Sequence, residues 1–327
     1  MPEKLEVVVV GAGPTGLAGA IEAVKENLKV LVIEKGCLVN SIFHYPTEMI
    51  FFTSRELLEI GDIPMPSVNV KPTRAEALEY YRRVAEFFRL PIHLYERVTA
   101  VSGSDGHFQV LTQRDGGRRN GYETRKVVFA TGYYDLPNLL GIPGEDLPKV
   151  SHYYTSGHEF YRRKVAVIGG ANSAAEAALD LYRHGAEVTL IHRAPELGRN
   201  IKYWVRPDIE NRIKEGSVRA LFESQVKEIA ADWIQVERSN GESVQLENDF
   251  VFALTGYHPD FDFLHGAGVE LDPETCRPKC HPETLESNVP GIYLAGVIIA
   301  GYETNEIFIE NGRFHGKQIV ADIRRKV

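Results

Sequence analysis

The chain is short of cysteine, of positive charge and of long apolar runs. Only Cys37, Cys276 and Cys280 occur among 327 residues, too few for the disulfide framework of a secreted domain. Cys276 and Cys280 are spaced C-x-x-x-C in a polar turn after Asp272-Pro273, one residue too long for a redox C-x-x-C, and read as two surface thiols. His281 alone stands beside them, so the ligands of a metal site are lacking and no metal is expected. The N-terminus has no charged-then-apolar signal pattern, and no apolar stretch approaches the length of a bilayer span. A cytoplasmic protein, free of membrane, is expected. The net charge of −8, with basic residues scattered as in Arg118-Arg119 and Arg162-Arg163-Lys164, argues against a nucleic-acid partner.

What the chain does have is two glycine turns in matching settings. Leu5-Glu6-Val7-Val8-Val9-Val10 runs into Gly11-Ala12-Gly13-Pro14-Thr15-Gly16, then into a helical pattern over residues 17–26, and Val30-Leu31-Val32-Ile33 ends on Glu34. A buried strand turning through glycines into a helix N-terminus aims unpaired N–H groups at one point, where a pyrophosphate docks. Glu34 follows Gly11 by 34 − 11 = 23 residues, the position from which a carboxylate accepts hydrogen bonds from ribose hydroxyls. Strand, fingerprint, helix, strand and acid in that order make a dinucleotide site.

With 43% hydrophobic residues, a chain of this length forms two domains. Residues 42–52 are aromatic-rich and read as half-buried. Thr73-Arg74-Ala75-Glu76 is a capping box opening a helix over residues 74–88, with Leu78, Tyr81, Ala85 and Phe88 on its inward face. Alternating runs at 92–95, 98–101, 108–112 and 124–129 form a meander whose exposed tip is the polar insert 115–121. The last run closes on Ala130-Thr131-Gly132, and a matching strand, Phe250-Val251-Phe252-Ala253-Leu254, closes on Thr255-Gly256. These two endings bracket an insertion.

Inside the bracket the opening motif returns as Lys164-Val165-Ala166-Val167-Ile168, Gly169-Gly170-Ala171-Asn172-Ser173-Ala174, a helix stopped by Gly185, and Glu187-Val188-Thr189-Leu190-Ile191. Its second strand ends on His192-Arg193, 193 − 169 = 24 residues after Gly169. A guanidinium there binds a 2′-phosphate that a carboxylate would repel, so this site takes NADPH, with Arg199 and Lys202 adding charge. The first takes FAD. The fold class is α/β: two Rossmann-like dinucleotide-binding domains, an FAD domain of residues 1–138 and 255–327 and, inserted into it, an NADPH domain of residues 139–254. FAD contacts are expected from Gly11, Gly13, Pro14, Thr15, Gly16, Glu34, Lys35, Thr131, Gly132, Gly296 and Asn305. NADPH contacts are expected from Gly169, Gly170, Asn172, Ser173, Ala174, Arg193, Arg199 and Lys202. Thr304 or Asn305 is read as the cap of a last helix running to Phe314 and carrying Glu306 and Glu310.

The layout resembles the low-molecular-weight thioredoxin reductases, and within them the bacillithiol disulfide reductase family. The likeness is carried by Val39-Asn40-Ser41-Ile42, Tyr45-Pro46-Thr47, Thr131-Gly132-Tyr133-Tyr134-Asp135, Pro143-Gly144-Glu145-Asp146-Leu147-Pro148, Thr255-Gly256-Tyr257-His258-Pro259-Asp260 and the C-terminal Asn305-Glu306-Ile307-Phe308-Ile309-Glu310-Asn311-Gly312. That resemblance implies a homodimeric, NADPH-dependent flavoprotein that passes electrons to a low-molecular-weight disulfide.

The sequence departs from these relatives in four places. Thioredoxin reductases carry a C-x-x-C just before the NADPH strand, where this chain reads Ser151-His152-Tyr153-Tyr154-Thr155-Ser156-Gly157-His158, so a dithiol relay is missing. The nearer family commonly has a cysteine, the thiol proposed for its catalysis, in the first fingerprint. Thr15 stands there and cannot form a mixed disulfide: either the flavin reduces the substrate directly or the substrate differs. Val297 replaces the aspartate common in the wider superfamily, as in the nearer family, and Ala171 replaces the middle glycine of the second fingerprint, narrowing the room for pyrophosphate. The alternatives are electron transfer to a small redox protein, as in ferredoxin–NADP reductases, a flavin monooxygenase, and a non-enzymatic redox sensor. Candidate catalytic side chains are Thr15, Cys37 and His152; His44, His258 and His315 read as packed histidines.

Overall fold

A computed structural model describes residues 5–326. The chain divides into two compact units: one of residues up to His44, Met49–Leu136 and from Tyr257 onward, the other of Tyr45–Glu48 and Pro137–Gly256.

The first unit opens on strand β1 (Leu5–Val10), in which four consecutive valines are buried. β-branched side chains suit a strand covered on both faces. Helix α1 (Pro14–Lys25) begins at Pro14, three residues before Leu17, because proline's fixed φ suits the first helical position. Strand β2 (Val30–Ile33) pairs parallel with β1. Two single turns follow, α2 (Asn40–Phe43) and α3 (Arg55–Leu58). This stretch is more open than expected, with Phe43 at 48% and Ile50 at 57% exposure.

Helix α4 (Arg74–Phe87) has its capping box in place, Glu76 Oε2 accepting from the Thr73 N–H at 2.7 Å. Its inward face is Ala77, Tyr80, Tyr81, Val84 and Ala85, whereas Leu78 and Phe88 stay half-buried. The adjacent tyrosines turn the face, their hydroxyls donating to the carbonyls of Ile63 and Leu58 at 2.8 and 2.9 Å. Strand β3 (Ile92–His93) extends the parallel sheet beyond β2. Strands β4 (Glu96–Ser104), β5 (His107–Arg114) and β6 (Arg119–Phe129) form the antiparallel meander. Its tip is shorter than the insert suggested, since residues 119–121 already pair in β6. The second half of β6 turns parallel to β1.

The second unit holds a five-stranded parallel sheet in the order β10-β9-β8-β14-β7. These strands are β7 (Val150–Ser151), β8 (Lys164–Ile168), β9 (Glu187–Ile191), β10 (Arg219–Leu221) and β14 (Phe250–Ala253). Helix α5 (Asn172–Arg183) follows β8, and α6 (Arg206–Lys214) packs beside it. The core between sheet and helices includes Val165, Val167, Ala178, Leu181, Leu190 and Ile209. A three-stranded antiparallel sheet of β11 (Ser224–Ile229), β12 (Trp233–Arg238) and β13 (Ser243–Glu247) covers the other face through Val226, Ile234 and Val236. The ends of the unit are tied together, Asn138 Nδ2 donating to the Thr255 carbonyl at 3.2 Å and Thr255 Oγ1 to the Asn138 carbonyl at 2.5 Å.

The chain then completes the first unit. Helix α7 (Phe261–Gly266) is capped by Asp260, and strand β15 (Ile292–Leu294) joins the sheet parallel to β6. Cys280 is half-buried against this core instead of lying on the surface. The last segment differs from the expected single helix: α8 (Ile309–Gly312) is one turn, and α9 (His315–Lys326) follows separately. Neither Thr304 nor Asn305 caps it. Asn311 fixes that turn from inside, its Oδ1 accepting from the Phe308 N–H at 2.8 Å and its Nδ2 donating to the Glu306 carbonyl at 3.0 Å. Asn305 is exposed, and Glu306 lies before the helix, 2.6 Å from Arg277. Helix α9 crosses α1 at Gly316 and Gly19, where a Cβ on Gly316 would stand 2.6 Å from the Gly19 Cα. Among the described residues no helix is long and apolar enough to cross a membrane.

Candidate functional site

In the first unit the chain leaves β1 at Gly11, whose φ of +106° and whose N–H to the Ile33 carbonyl at 2.8 Å make the tight turn. A Cβ at Gly16 would stand 2.0 Å from the Gly11 carbonyl oxygen, so only glycine lets α1 sit this close, whereas a Cβ at Gly13 meets nothing within 4 Å. Helix α1 has no side-chain cap and no acid in its first turn, unlike the boxed α4. Its bare N–H groups beside open space fit a pyrophosphate. Glu34, 6% exposed, accepts from the N–H groups of Ala12 at 2.7 Å and Gly36 at 2.9 Å, one to each oxygen. A second lone pair on each oxygen stays available for a ribose hydroxyl. Burial pushes the Glu34 carboxyl above the usual carboxylate range, against the pull of the two N–H groups.

The remaining expected FAD residues meet this cradle unequally. Lys35 is tied 2.6 Å from Asp135, in the turn after β6. Thr131 and Gly132 begin that turn, and a Cβ on Gly132 would meet open space. Thr15 packs between two backbones, its Oγ1 lying 3.3 Å from a Cβ built on Gly296 and 3.0 Å from one on Gly312. The Gly296 N–H donates to His315 Nδ1 at 3.0 Å, which fixes that nitrogen as an acceptor, and burial pushes the imidazole below its usual range. Asn305 is exposed in the loop before α8. The Cys37 thiol donates to Asn40 Oδ1 at 3.6 Å, and burial, with the Glu34 carboxylate, raises its pKa. A thiol held protonated is a poor nucleophile. His258 Nδ1 donates to the Pro259 carbonyl at 2.8 Å and stacks on Phe261, while His44 is exposed.

The second unit repeats the construction. Gly169 donates to the Ile191 carbonyl at 3.0 Å, and a Cβ there would stand 2.6 Å from the Leu254 carbonyl oxygen and 3.0 Å from Ala174. Helix α5 also lacks a side-chain cap and a first-turn acid. Ala171 and Ser173 are exposed at its start, and Ala174 is fully buried. Asn172 braces the loop that follows β9, accepting from the Lys202 N–H at 2.9 Å and donating to the Asn200 carbonyl at 3.0 Å. The Gly198 N–H reaches the Gly170 carbonyl at 2.8 Å. The His192 ring lies against Gly170, and burial, with the Arg193 charge, lowers its pKa.

The three cations differ. Lys202 is held by Glu176 at 2.5 Å, and Arg199, 93% exposed in its side chain, is 4.0 Å from Glu196. Arg193 is exposed and has no ion-pair partner among the described residues. Sequence spacing singled out all three, but only contacts separate the committed charge from the available one.

The segment where thioredoxin reductases carry their dithiol is a packed polar knot. The Tyr154 hydroxyl and the Gly157 N–H both donate to the Asp180 carboxylate in α5, and burial with that carboxylate raises the tyrosine pKa. His152 lies between the Ala253 carbonyl, 3.1 Å from Nδ1, and Glu145, 3.4 Å from Nε2. Glu145 in turn accepts from the N–H groups of Leu140 and Gly141 at 2.6 and 2.7 Å. No motif marked Asp180; nothing short of the fold puts it under Tyr154.

Comparison with known proteins bears out the likeness carried by the motifs. Residues 8–296 match the model of the pyridine nucleotide-disulphide oxidoreductase family. The chain is 45% identical over 98% of its own length, and 98% of the relative's, to the bacilliredoxin reductase Bdr of Bacillus subtilis strain 168. It superposes on the bacillithiol disulfide reductase Bdr (YpdA) from Bacillus cereus with a TM-score of 0.97 at 45% identity, covering 99% of this chain and 100% of that one. The thioredoxin reductase of Lactococcus lactis shares the fold, with a TM-score of 0.78 at 21% identity over 98% of each chain. With its two dinucleotide turns, its thioredoxin reductase-like fold and this match over nearly nine-tenths of its length, the chain belongs to the pyridine nucleotide-disulphide oxidoreductase family, as a flavin-dependent disulfide reductase that uses FAD and NAD(P)H.

Proposed function

We propose that this enzyme reduces a low-molecular-weight disulfide of the bacillithiol type at the expense of NADPH, without a thiol of its own in the relay. The contrast between the ends of the two second strands carries the reading: a buried, backbone-bonded carboxylate at Glu34, and an exposed guanidinium without an ion-pair partner at Arg193. The first suits the ribose of FAD in the discontinuous unit, and the second the 2′-phosphate of NADPH in the inserted unit, residues 139–254.

Bound FAD supplies the hydride acceptor and the two-electron donor. The chain's own residues bind and orient. Bare helix N-termini at α1 and α5 hold the two pyrophosphates, Glu34 fixes the FAD ribose, and Arg193 selects the phosphorylated nicotinamide, with the exposed Arg199 adding positive charge and Lys202 held by Glu176. Thr15 offers a hydroxyl and Cys37 a thiol held protonated, so neither is assigned a covalent role. His152 is assigned to holding the segment before β8. The names of the Bacillus relatives support the substrate class. A homodimer belongs to the same reading and rests there on family resemblance alone; the cytoplasm belongs to it as the compartment expected from the sequence.

The test is NADPH consumption by holoenzyme offered bacillithiol disulfide, glutathione disulfide or ferredoxin. Consumption with bacillithiol disulfide well above that with the other two supports the reading. Consumption with ferredoxin alone overturns it.

A further inference from the structure

Strands β2, β1 and β6 lie side by side in the first unit's sheet, and they end level: Val10 of β1 pairs in parallel with Ile33 of β2 and with Phe129 of β6. Neighbouring strands stand about 4.8 Å apart, so the chain leaving β2 and the chain leaving β6 are separated by about 10 Å. The Gly11 turn lies between them. Open α/β sheets take their ligands in the crevice beyond these carboxyl ends. Across that crevice Lys35, two residues past β2, meets Asp135, six residues past β6, at 2.6 Å.

Other contacts draw the same two segments around the first cradle. The Tyr134 hydroxyl donates to the His44 carbonyl at 3.3 Å. The Val39 N–H donates to the Ala12 carbonyl at 3.1 Å, which brings the loop after β2 back onto the fingerprint itself. Val39 adopts φ +48° and ψ +48° with its side chain 1% exposed. A β-branched residue is strained in this left-handed region, and such strain persists only where the surroundings over-determine it. From α4, Arg74 Nε donates to the Ile42 carbonyl at 3.1 Å. Backbone groups thus fix the loop at Val39 and Ile42. The Lys35–Asp135 contact is of another kind, a pair of flexible side chains 28% and 27% exposed. An ion pair that water reaches is weak enough to part and reform while the segments that carry it stay folded.

We propose that Lys35 and Asp135 form a latch across the mouth of the first cradle, and that the opening of this pair governs how fast the dinucleotide enters and leaves. This rests on the assignment of FAD to that cradle. The bond is internal to the chain and is not a contact with the cofactor. Breaking it therefore speeds uptake and release together, and changes the FAD affinity less than either rate.

Lys35→Met, which keeps the stem and removes the charge, Asp135→Asn and the two combined test this. Release is followed by the rise of flavin fluorescence on diluting holoenzyme, and uptake by its quenching when FAD is added to flavin-free protein. Each single variant should release and take up FAD about two- to fivefold faster than wild type, the range of a partly exposed ion pair. The double variant should be no faster than the quicker single one, and Lys35→Arg, which keeps the pair, should match wild type. In about 0.5 M sodium chloride, which screens charges beyond a few ångströms, wild type should move toward the double variant. Unchanged rates in both single variants would overturn the proposal. So would slower uptake and weaker affinity in Lys35→Met beside an unaltered Asp135→Asn, the pattern of a lysine that binds the cofactor's phosphates itself. Wild-type protein that takes up no flavin would instead defeat the cradle assignment beneath it.

Discussion

The hydroxyl of Thr15 lies 3.0 Å from the point where a side chain on Gly312 would begin. Gly296 closes the other side, so the one fingerprint residue that could carry a thiol in this family is here a threonine wedged between glycine backbones. Thr15→Cys puts sulfur into the same niche while removing a methyl branch. If electrons reach the disulfide without a protein thiol, kcat for bacillithiol disulfide in this variant stays within about tenfold of wild type, about 1.4 kcal/mol in barrier. Turnover seen in the variant and absent from wild type would mean that the natural substrate is another molecule.

Arg193→Ala removes the available cation at the second cradle. The KM for NADPH is expected to rise by roughly ten- to a hundredfold, matching about 1.4–3 kcal/mol for a charged hydrogen bond, with the KM for NADH nearly unchanged. Equal losses for both nucleotides would refute the assignment to the 2′-phosphate.

Gly13→Ala and Gly16→Ala separate the cofactor's needs from the fold's. A Cβ at Gly13 meets no atom of the chain, whereas one at Gly16 stands 2.0 Å from the Gly11 carbonyl oxygen. The first variant should therefore fold normally and lose FAD, because its methyl occupies phosphate space. The second should be destabilised even without cofactor. Matching urea midpoints for the two flavin-free proteins would contradict this division.

Glu96, with its side chain fully buried, accepts from Thr112 Oγ1 at 2.5 Å, Arg114 Nε at 2.8 Å, Tyr122 at 2.9 Å and Asn120 at 3.2 Å. Burial alone would raise its pKa, but these four donors outweigh it and hold the carboxyl down to about 2, against 4.5 ordinarily. A depressed carboxylate stabilises the fold above its unfolded value and loses that contribution as pH falls toward the folded one. The contribution is about 3 kcal/mol at pH 7, of which about 2 is gone by pH 3. The stability gap between wild type and Glu96→Gln should narrow by that amount between the two pH values. A gap independent of pH would show that the carboxylate is not charged in the fold.

Both glycine turns, their second strands and the contrasting residues at their ends were legible in the sequence, because strand period, turn chemistry and helix start agree at those points. The capping box of α4 was legible for the same reason. Its buried face was not, since the hydrogen bonds of Tyr80 and Tyr81, not the apolar count, set the helix's rotation. The C-terminal segment misled for a similar reason: Thr304 and Asn305 have the chemistry of caps, but Asn311 reaches back to Phe308 and starts the helix later. Charge alone could not show that Lys202 is committed to Glu176 while Arg193 is left available. Nor could it show that Asp180 gathers Tyr154 and Gly157 where relatives place a dithiol.

The most direct test is an anaerobic titration of purified holoenzyme. One equivalent of NADPH should bleach the flavin absorption, and one equivalent of bacillithiol disulfide should restore it with release of two thiols. A flavin that stays oxidised with NADPH, or that once reduced is not reoxidised by the disulfide, would contradict the account.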